Sequence, residues 1–113
     1  MLNIITVIYV VVGLIGIFMF TSMLMKKKVS LIVGIVHGVL GLAGIALLII
    51  VSSYAASEGL SEVIIIFFLA FLLGGGIFAA KVFSEKSNIW INVIHAVIAL
   101  AGMYLLFQYS SLL

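Results

Sequence analysis

Long apolar stretches separated by short polar clusters set the pattern of this chain. Four stretches, at about 4–24, 30–51, 61–80 and 88–108, contain a single charged residue, Glu62. A bilayer-spanning helix needs roughly 20 mostly apolar residues, and stretches of this length satisfy their backbone polar groups inside lipid only as helices. The pattern therefore predicts an all-α integral membrane protein whose four transmembrane helices pack as a bundle.

Polar residues near the predicted helix ends supply start signals. Ser61 followed by Glu62 suits the N-cap and first turn of the third helix, and Ser87 or Asn88 suits the N-cap of the fourth. Pro is absent, whereas the run of three glycines at 74–76 marks a weak or closely approached point in the third helix.

Composition supports lipid as the solvent of this chain. Of 113 residues, 67% are hydrophobic and only 7% are charged, so a soluble domain would lack polar groups to cover its surface. The N-terminus enters an apolar stretch without a basic region before it, and we therefore expect no cleavable signal peptide.

The lysines predict how the chain is oriented. All five lie in the first and third connections, whereas the second connection carries Glu58 and Glu62 and no lysine; the lysines are Lys26, Lys27, Lys28, Lys81 and Lys86. Positive residues in short loops stay cytoplasmic. We expect a multi-pass protein of the bacterial inner (plasma) membrane with both termini outside. Topology accounts for the net charge of +2, so no nucleic-acid partner is expected.

The chain matches itself at an offset of 58 residues. Residues 28–53 align with 86–111 without a gap, and ten of the 26 pairs are identical. The first and third stretches match more weakly, at Leu14/Leu72, Gly16/Gly74 and Phe20/Phe78. The match predicts one domain built from two tandem hairpins, 1–55 and 56–113. Each copy has an even number of spans, so the repeats run parallel about a pseudo-twofold axis along the membrane normal.

Each of the best-matched helices carries one histidine on a face of small residues. The residues at helical spacing around the two histidines are Gly34, Gly38 and Gly41 near His37, and Asn92, Ala96, Ala99 and Gly102 near His95. An imidazole in the hydrocarbon interior needs a partner, which makes it a functional candidate. Small residues serve close helix packing, and they also leave room for a flat ligand beside the histidine.

Two symmetry-related histidines at one depth match the axial ligands of a single central metal. Haem b accepts an imidazole on each face, whereas zinc requires three or four ligands that the chain does not offer. Cysteine is absent, which excludes covalent haem attachment through that residue. The acidic residues lie in or beside loops, so we expect an electron carrier and not an enzyme.

Other interpretations stay open. His37 and His95 could each hold a separate chlorophyll-type pigment, or the chain could bind no cofactor and serve as an accessory subunit of a respiratory or photosynthetic complex. Its partners would then be other membrane subunits or further copies of itself, within the lipid bilayer. A proton or solute carrier would have to use the histidines and Asn92.

The repeated pattern His-x-x-x-x-Leu-Ala-Gly, at 37–44 and 95–102, resembles that of small uncharacterised bacterial four-helix membrane proteins. Its arrangement is similar to minimal dihistidine b-type cytochrome bundles. The resemblance covers the second and fourth helices and implies haem ligation by His37 and His95. The chain departs from larger cytochromes b, which use two histidine pairs, so one haem is expected.

Overall fold

Four helices account for most of the residues that the structure describes. The computed structural model describes residues 1–54, 60–84 and 88–110. Its helices are α1 (Leu2–Leu24), α2 (Leu31–Tyr54), α3 (Leu60–Ser84) and α4 (Ile89–Tyr109). Each is long and apolar enough to span a membrane, with a mean hydropathy of 2.0 to 2.7. The prediction of four apolar helices is confirmed.

Two helices extend beyond the ends that polar or charged residues predicted. α2 continues to Tyr54, and α3 passes through Lys81 to Ser84. A lysine in the last turn interacts favourably with the helix dipole, so Lys81 does not end the helix. The prediction of Ser61 as an N-cap is wrong, because α3 already begins at Leu60.

Backbone and side-chain caps close two of the other ends. Asn88 is the N-cap of α4, as predicted, and its Oδ1 accepts a hydrogen bond from the Trp90 N–H at 2.9 Å; the other candidate, Ser87, lies outside the described residues. At the end of α1, Lys26 adopts a left-handed φ of 56°. The Lys27 N–H then reaches the Ser22 carbonyl at 2.8 Å and the Lys26 N–H reaches the Met23 carbonyl at 3.0 Å, as in a Schellman motif.

The helices pack around a ring in chain order. α1 contacts α2, α2 contacts α3, α3 contacts α4, and α4 returns to α1, which leaves α1/α3 and α2/α4 as the two diagonals. The described residues extend over 43 × 24 × 23 Å. The long dimension matches the roughly 40–45 Å thickness of a bilayer including its headgroups.

The tightest packing lies in one half of the bundle. Buried apolar side chains come from the first half of α1 and α3 and the second half of α2 and α4; they are Ile5, Tyr9, Val12, Ile45, Leu48, Leu60, Val63, Phe67, Ala70 and Leu106. This half is called the closed half. The opposite end, called the lysine end, carries Lys26, Lys27, Lys28 and Lys81, all of them exposed.

A stacked ring pair fills the centre of the closed half. The Tyr9 and Phe67 rings lie 3.9 Å apart between centroids with planes inclined by 5°. A Cβ on Gly44 would lie 2.6 Å from the Tyr9 ring, and a Cβ on Gly102 would lie 3.0 Å from the Phe67 ring. A side chain at Gly44 would collide with the Tyr9 ring, and one at Gly102 would force the Phe67 ring to shift, so the glycines let the rings lie against the helix backbones. Tyr9 and Phe67 are 58 residues apart, as are Gly44 and Gly102.

Candidate dihistidine site

The two histidines meet across one diagonal of the bundle. His37 lies on α2 and His95 on α4, and these helices do not pack against each other. The centroids of their imidazole rings are nevertheless only 6.3 Å apart, with the ring planes inclined by 69°. Both side chains are half-buried. The imidazoles therefore lie close to each other although their helices, α2 and α4, are separated by α1 and α3.

Each ring is fixed by one hydrogen bond to a neighbouring helix. His37 Nδ1 lies 3.1 Å from the Val12 carbonyl oxygen of α1, and His95 Nδ1 lies 2.8 Å from the Ala70 carbonyl oxygen of α3. A carbonyl can only accept, so Nδ1 is the donor in each ring and the lone pair of the neutral imidazole is at Nε2. Within the described residues, neither Nε2 makes a hydrogen bond.

Two glycines make these carbonyls reachable. Helical side chains lean toward the N-terminus and cover the preceding turn, so the residue at i+4 normally shields the carbonyl of residue i. Gly16 is that residue for Val12, and Gly74 is that residue for Ala70. A Cβ on Gly16 would lie 3.2 Å from His37 Cε1, and one on Gly74 would lie 2.9 Å from His95 Cε1. The imidazoles thus occupy the space where side chains would stand.

Gly16 and Gly74 were missed as site residues in the sequence analysis. They form one of the few matches between the first and third helices at the 58-residue offset. That match was visible in the sequence, but it indicated no role in the site because glycine has no functional group. Its role depends on which carbonyl lies beneath it and which ring lies opposite, and both facts come from packing.

Some glycines of the predicted small-residue face pack against rings of neighbouring helices, and others border open space. A Cβ on Gly34 would meet the Phe78 ring at 3.2 Å, and Gly102 receives the Phe67 ring. At Gly38 and Gly41 a Cβ would meet nothing within 4 Å. The Gly41 carbonyl accepts a hydrogen bond from the Tyr9 hydroxyl at 3.1 Å.

The polar and alanine positions of the face on α4 lie along the same helix as His95. Asn92 Nδ2 donates to the Asn88 carbonyl at 2.8 Å, a bond within its own helix. Ala96 and Ala99 are half-buried, and neither has a polar side-chain atom to offer a ligand. The nitrogen donors of the site are thus the two imidazoles.

The donor set fits a metal that takes two axial nitrogens. Metal-bound histidines usually donate their other ring N–H to a carbonyl or carboxylate, as both rings do here. A metal–nitrogen bond is about 2.0–2.1 Å long, and a separation of 6.3 Å between ring centroids is compatible with one metal shared by the two rings. Among the described residues no group of three or more His, Cys, Asp or Glu side chains could hold an ion alone. A haem iron would need only two ligands from the protein, because the porphyrin supplies the others, and His37 and His95 are the residues that could hold it.

Comparison with known proteins gave no relative. No protein-family model matches the chain, and neither the characterised proteins nor the solved structures compared with it match.

Proposed function

We propose that this chain holds one b-type haem between His37 and His95 and carries electrons within the membrane. The observation that supports this most directly is the ring pair itself. Two imidazoles from diagonal helices lie 6.3 Å apart, and each has its Nδ1 engaged by a backbone carbonyl. That arrangement leaves the lone pairs of both Nε2 atoms available to a metal. When bound, a b-type haem supplies a one-electron redox centre.

The chain's residues have separate tasks in this proposal. Val12 and Ala70 hold the imidazole planes through their carbonyls and keep the tautomer that offers Nε2. Gly16 and Gly74 keep the flanks of the ring pair free of side chains on α1 and α3. The stacked Tyr9 and Phe67 rings fill the bundle on the closed-half side of the site.

The orientation of the rings favours one shared haem over two separate pigments. Pigments held at a boundary between subunits require imidazoles that point out of the bundle. The rings of His37 and His95 instead approach each other to 6.3 Å between centroids, and each is hydrogen-bonded to the helix beside it. We therefore rank a chlorophyll-type pigment below a shared haem.

The same proposal includes a membrane topology. The four apolar helices cross the bacterial inner membrane, and the lysine end faces the cytoplasm under the positive-inside rule. Both termini are then outside. Lys26, Lys27, Lys28 and Lys81 are exposed at one end of the bundle, which supports this orientation.

We further infer that the two hairpins are tandem copies of one unit. The 58-residue offset of the sequence match recurs in the contacts: Val12, Gly16 and His37 on one side correspond to Ala70, Gly74 and His95 on the other. The Tyr9/Phe67 stack lies where a twofold axis would pass. Duplication explains why both histidines are seated in the same way.

A difference spectrum tests the haem proposal. The protein is expressed with added haem precursor and purified in mild detergent. Its visible absorption spectrum is then recorded in the reduced and the oxidised state, and the second is subtracted from the first. We expect sharp b-type bands and about one haem per chain. His37→Ala and His95→Ala should each lose these bands or convert them to a five-coordinate, high-spin form, and the two variants should behave alike because their surroundings are equivalent.

Matched controls come from the same helices. Val39→Ala and Val97→Ala alter exposed positions two residues beyond each histidine, at 61% and 60% exposure. These variants should keep the wild-type spectrum. Elution of every variant as the same species in detergent shows that the fold is retained. A colourless wild-type protein in haem-sufficient cells would refute the proposal.

A second candidate is an accessory subunit of a larger membrane assembly. The observation that favours it is the open surface at Gly38 and Gly41, where a Cβ would meet nothing within 4 Å. Small residues on a lipid-facing helix allow another helix to approach closely. The occupant would be a different membrane subunit or a second copy of the chain, and native co-purification would find it.

A further inference from the structure

An open cleft separates α3 from α4 at the lysine end. It has a volume of about 890 Å³ and apolar walls. Its lining residues include Gly76, Ile77 and Ala80 from α3 and Asn88, Ile89 and Ile91 from α4. The volume is within the roughly 300–1,000 Å³ of small-molecule sites in proteins. His37 and His95 do not line it, so it is distinct from the dihistidine site.

The cleft arises where the two hairpins differ in sequence. At the 58-residue offset, Gly76 corresponds to Phe18 of α1, and Ala80 corresponds to Ser22. A Cβ on Gly76 would meet nothing within 4 Å, so the missing side chain leaves real space. The second hairpin therefore has open space at a position where the first hairpin carries a ring.

The extent of the cleft matches one leaflet of a bilayer. On α3 it runs from Leu72 to Ala80, about 12 Å at 1.5 Å per residue. Half of a hydrocarbon core is about 15 Å, whereas a partner transmembrane helix would need about 30 Å of surface. The length favours the chain of a lipid over a helix of another protein.

Charge at the mouth favours an anionic headgroup. Lys81 lies four residues after Ile77, which places it one turn further along the same face of α3. Lys81 is exposed, and Lys26, Lys27 and Lys28 are exposed at the same end of the bundle. Basic side chains at the membrane surface beside an intramembrane groove attract anionic lipid headgroups.

The geometry points to an anionic phospholipid as the ligand of this cleft. Its acyl chain lies between α3 and α4 against Gly76, and its phosphate contacts Lys81 at the lysine end. This inference does not depend on haem binding, because no residue of the dihistidine site contributes to it.

Native mass spectrometry tests the inference on the whole protein. The protein is released from detergent containing equal amounts of phosphatidylglycerol and phosphatidylcholine with identical chains. We expect the wild type to retain phosphatidylglycerol roughly fivefold over phosphatidylcholine, the effect of about one lysine at a membrane surface. Lys81→Gln should reduce this preference toward one.

Two glycine variants separate the cleft from the general surface. Gly76→Phe places in α3 the residue that α1 carries at the equivalent position, and it should abolish lipid retention. Gly75→Phe is the control, because Gly75 does not line the cleft and a Cβ there also meets nothing within 4 Å. It should retain lipid like the wild type. Equal retention by Gly76→Phe and the wild type, or equal retention of both lipids by the wild type, would overturn the inference.

A fluorescence measurement on the wild type keeps the test independent of variant folding. Trp90, the only tryptophan, lies between Ile89 and Ile91 of the cleft wall. Phosphatidylglycerol with brominated chains, at a low mole fraction in phosphatidylcholine vesicles, should quench Trp90 more than brominated phosphatidylcholine does at the same fraction. Equal quenching by the two brominated lipids would contradict a selective site.

Discussion

The seating of each imidazole depends on a residue with no functional group. Gly16 and Gly74 leave the carbonyl four residues earlier uncovered, and that carbonyl then accepts from Nδ1. A side chain at either position would crowd the imidazole and push it away from the carbonyl. The two histidines were found from the sequence because their chemistry is visible there. The glycines were not, because an uncovered carbonyl is a property of packed helices.

Glycine-to-alanine substitutions on α3 measure this effect directly. Gly74→Ala puts a methyl group 2.9 Å from His95 Cε1, so we expect it to lower the free energy of unfolding by about 1–3 kcal/mol. Gly76→Ala, two residues later, meets nothing within 4 Å and should raise stability by about 0.5–1 kcal/mol through helix propensity. Far-UV circular dichroism during titration of mixed micelles with a denaturing detergent reports both values.

The difference in the free energy of unfolding between Gly74→Ala and Gly76→Ala is the quantity that tests the prediction. Both add one methyl group to the same helix, so differences in helix propensity cancel between them. Gly16→Ala should be milder than Gly74→Ala, because its methyl group would lie 3.2 Å from the His37 ring. Equal effects of Gly74→Ala and Gly76→Ala on stability would show that the imidazole is not held against α3.

At the scale of helices, apolar length predicted each helix, whereas polar and charged residues did not always mark where it ends. All four helices were predicted from runs of about 20 apolar residues, and α1 ends at Leu24 as expected. α3 was predicted to end before Lys81, yet it continues to Ser84. A lysine in the last turn of a helix interacts favourably with the helix dipole, so Lys81 does not mark the end of α3.

The N-termini of α2 and α4 are capped in equivalent ways. Ser30 Oγ accepts a hydrogen bond from the Ile32 N–H at 3.2 Å, and Asn88 Oδ1 accepts one from the Trp90 N–H at 2.9 Å. These residues are 58 apart. Each cap satisfies one backbone donor that the helix itself leaves unpaired, at the lysine end of a histidine-bearing helix.

Removing either cap should destabilise the bundle by a similar amount. Ser30→Ala and Asn88→Ala are each expected to lower the free energy of unfolding by about 1 kcal/mol, while Asn88→Asp should retain stability. Ser53→Ala is the control. Its hydroxyl donates to the Ile49 carbonyl within α2, so its loss should change stability by less than about 0.5 kcal/mol. A larger loss for Ser53→Ala than for the two cap variants would contradict this account.

At the scale of the whole molecule, the bundle is two hairpins joined at their shared contacts. Within a hairpin α1 packs on α2 and α3 on α4, while α2/α3 and α1/α4 join the two. The joint contains the Tyr9/Phe67 stack and the two histidine rings. The sequence match predicted two equivalent units, but the residues that meet between them follow only from how the units are placed against each other.

Separate expression of the hairpins tests whether this joint is enough to assemble the protein. Residues 1–55 and 56–113, produced as two chains in one cell, should co-purify through a tag on either, because each half keeps its internal helix pair and the joint buries the stacked rings. Phe67→Ala removes one ring of the stack. Truncation of a phenylalanine in a packed core lowers stability by about 3–5 kcal/mol, so this variant should abolish recovery of the partner hairpin. Phe68→Ala, at the neighbouring exposed position, should not.

Since each hairpin supplies one histidine, haem bands should appear only when both chains are present. If one hairpin alone yields six-coordinate haem as a monomer, the shared site between His37 and His95 is wrong, even where the halves still assemble.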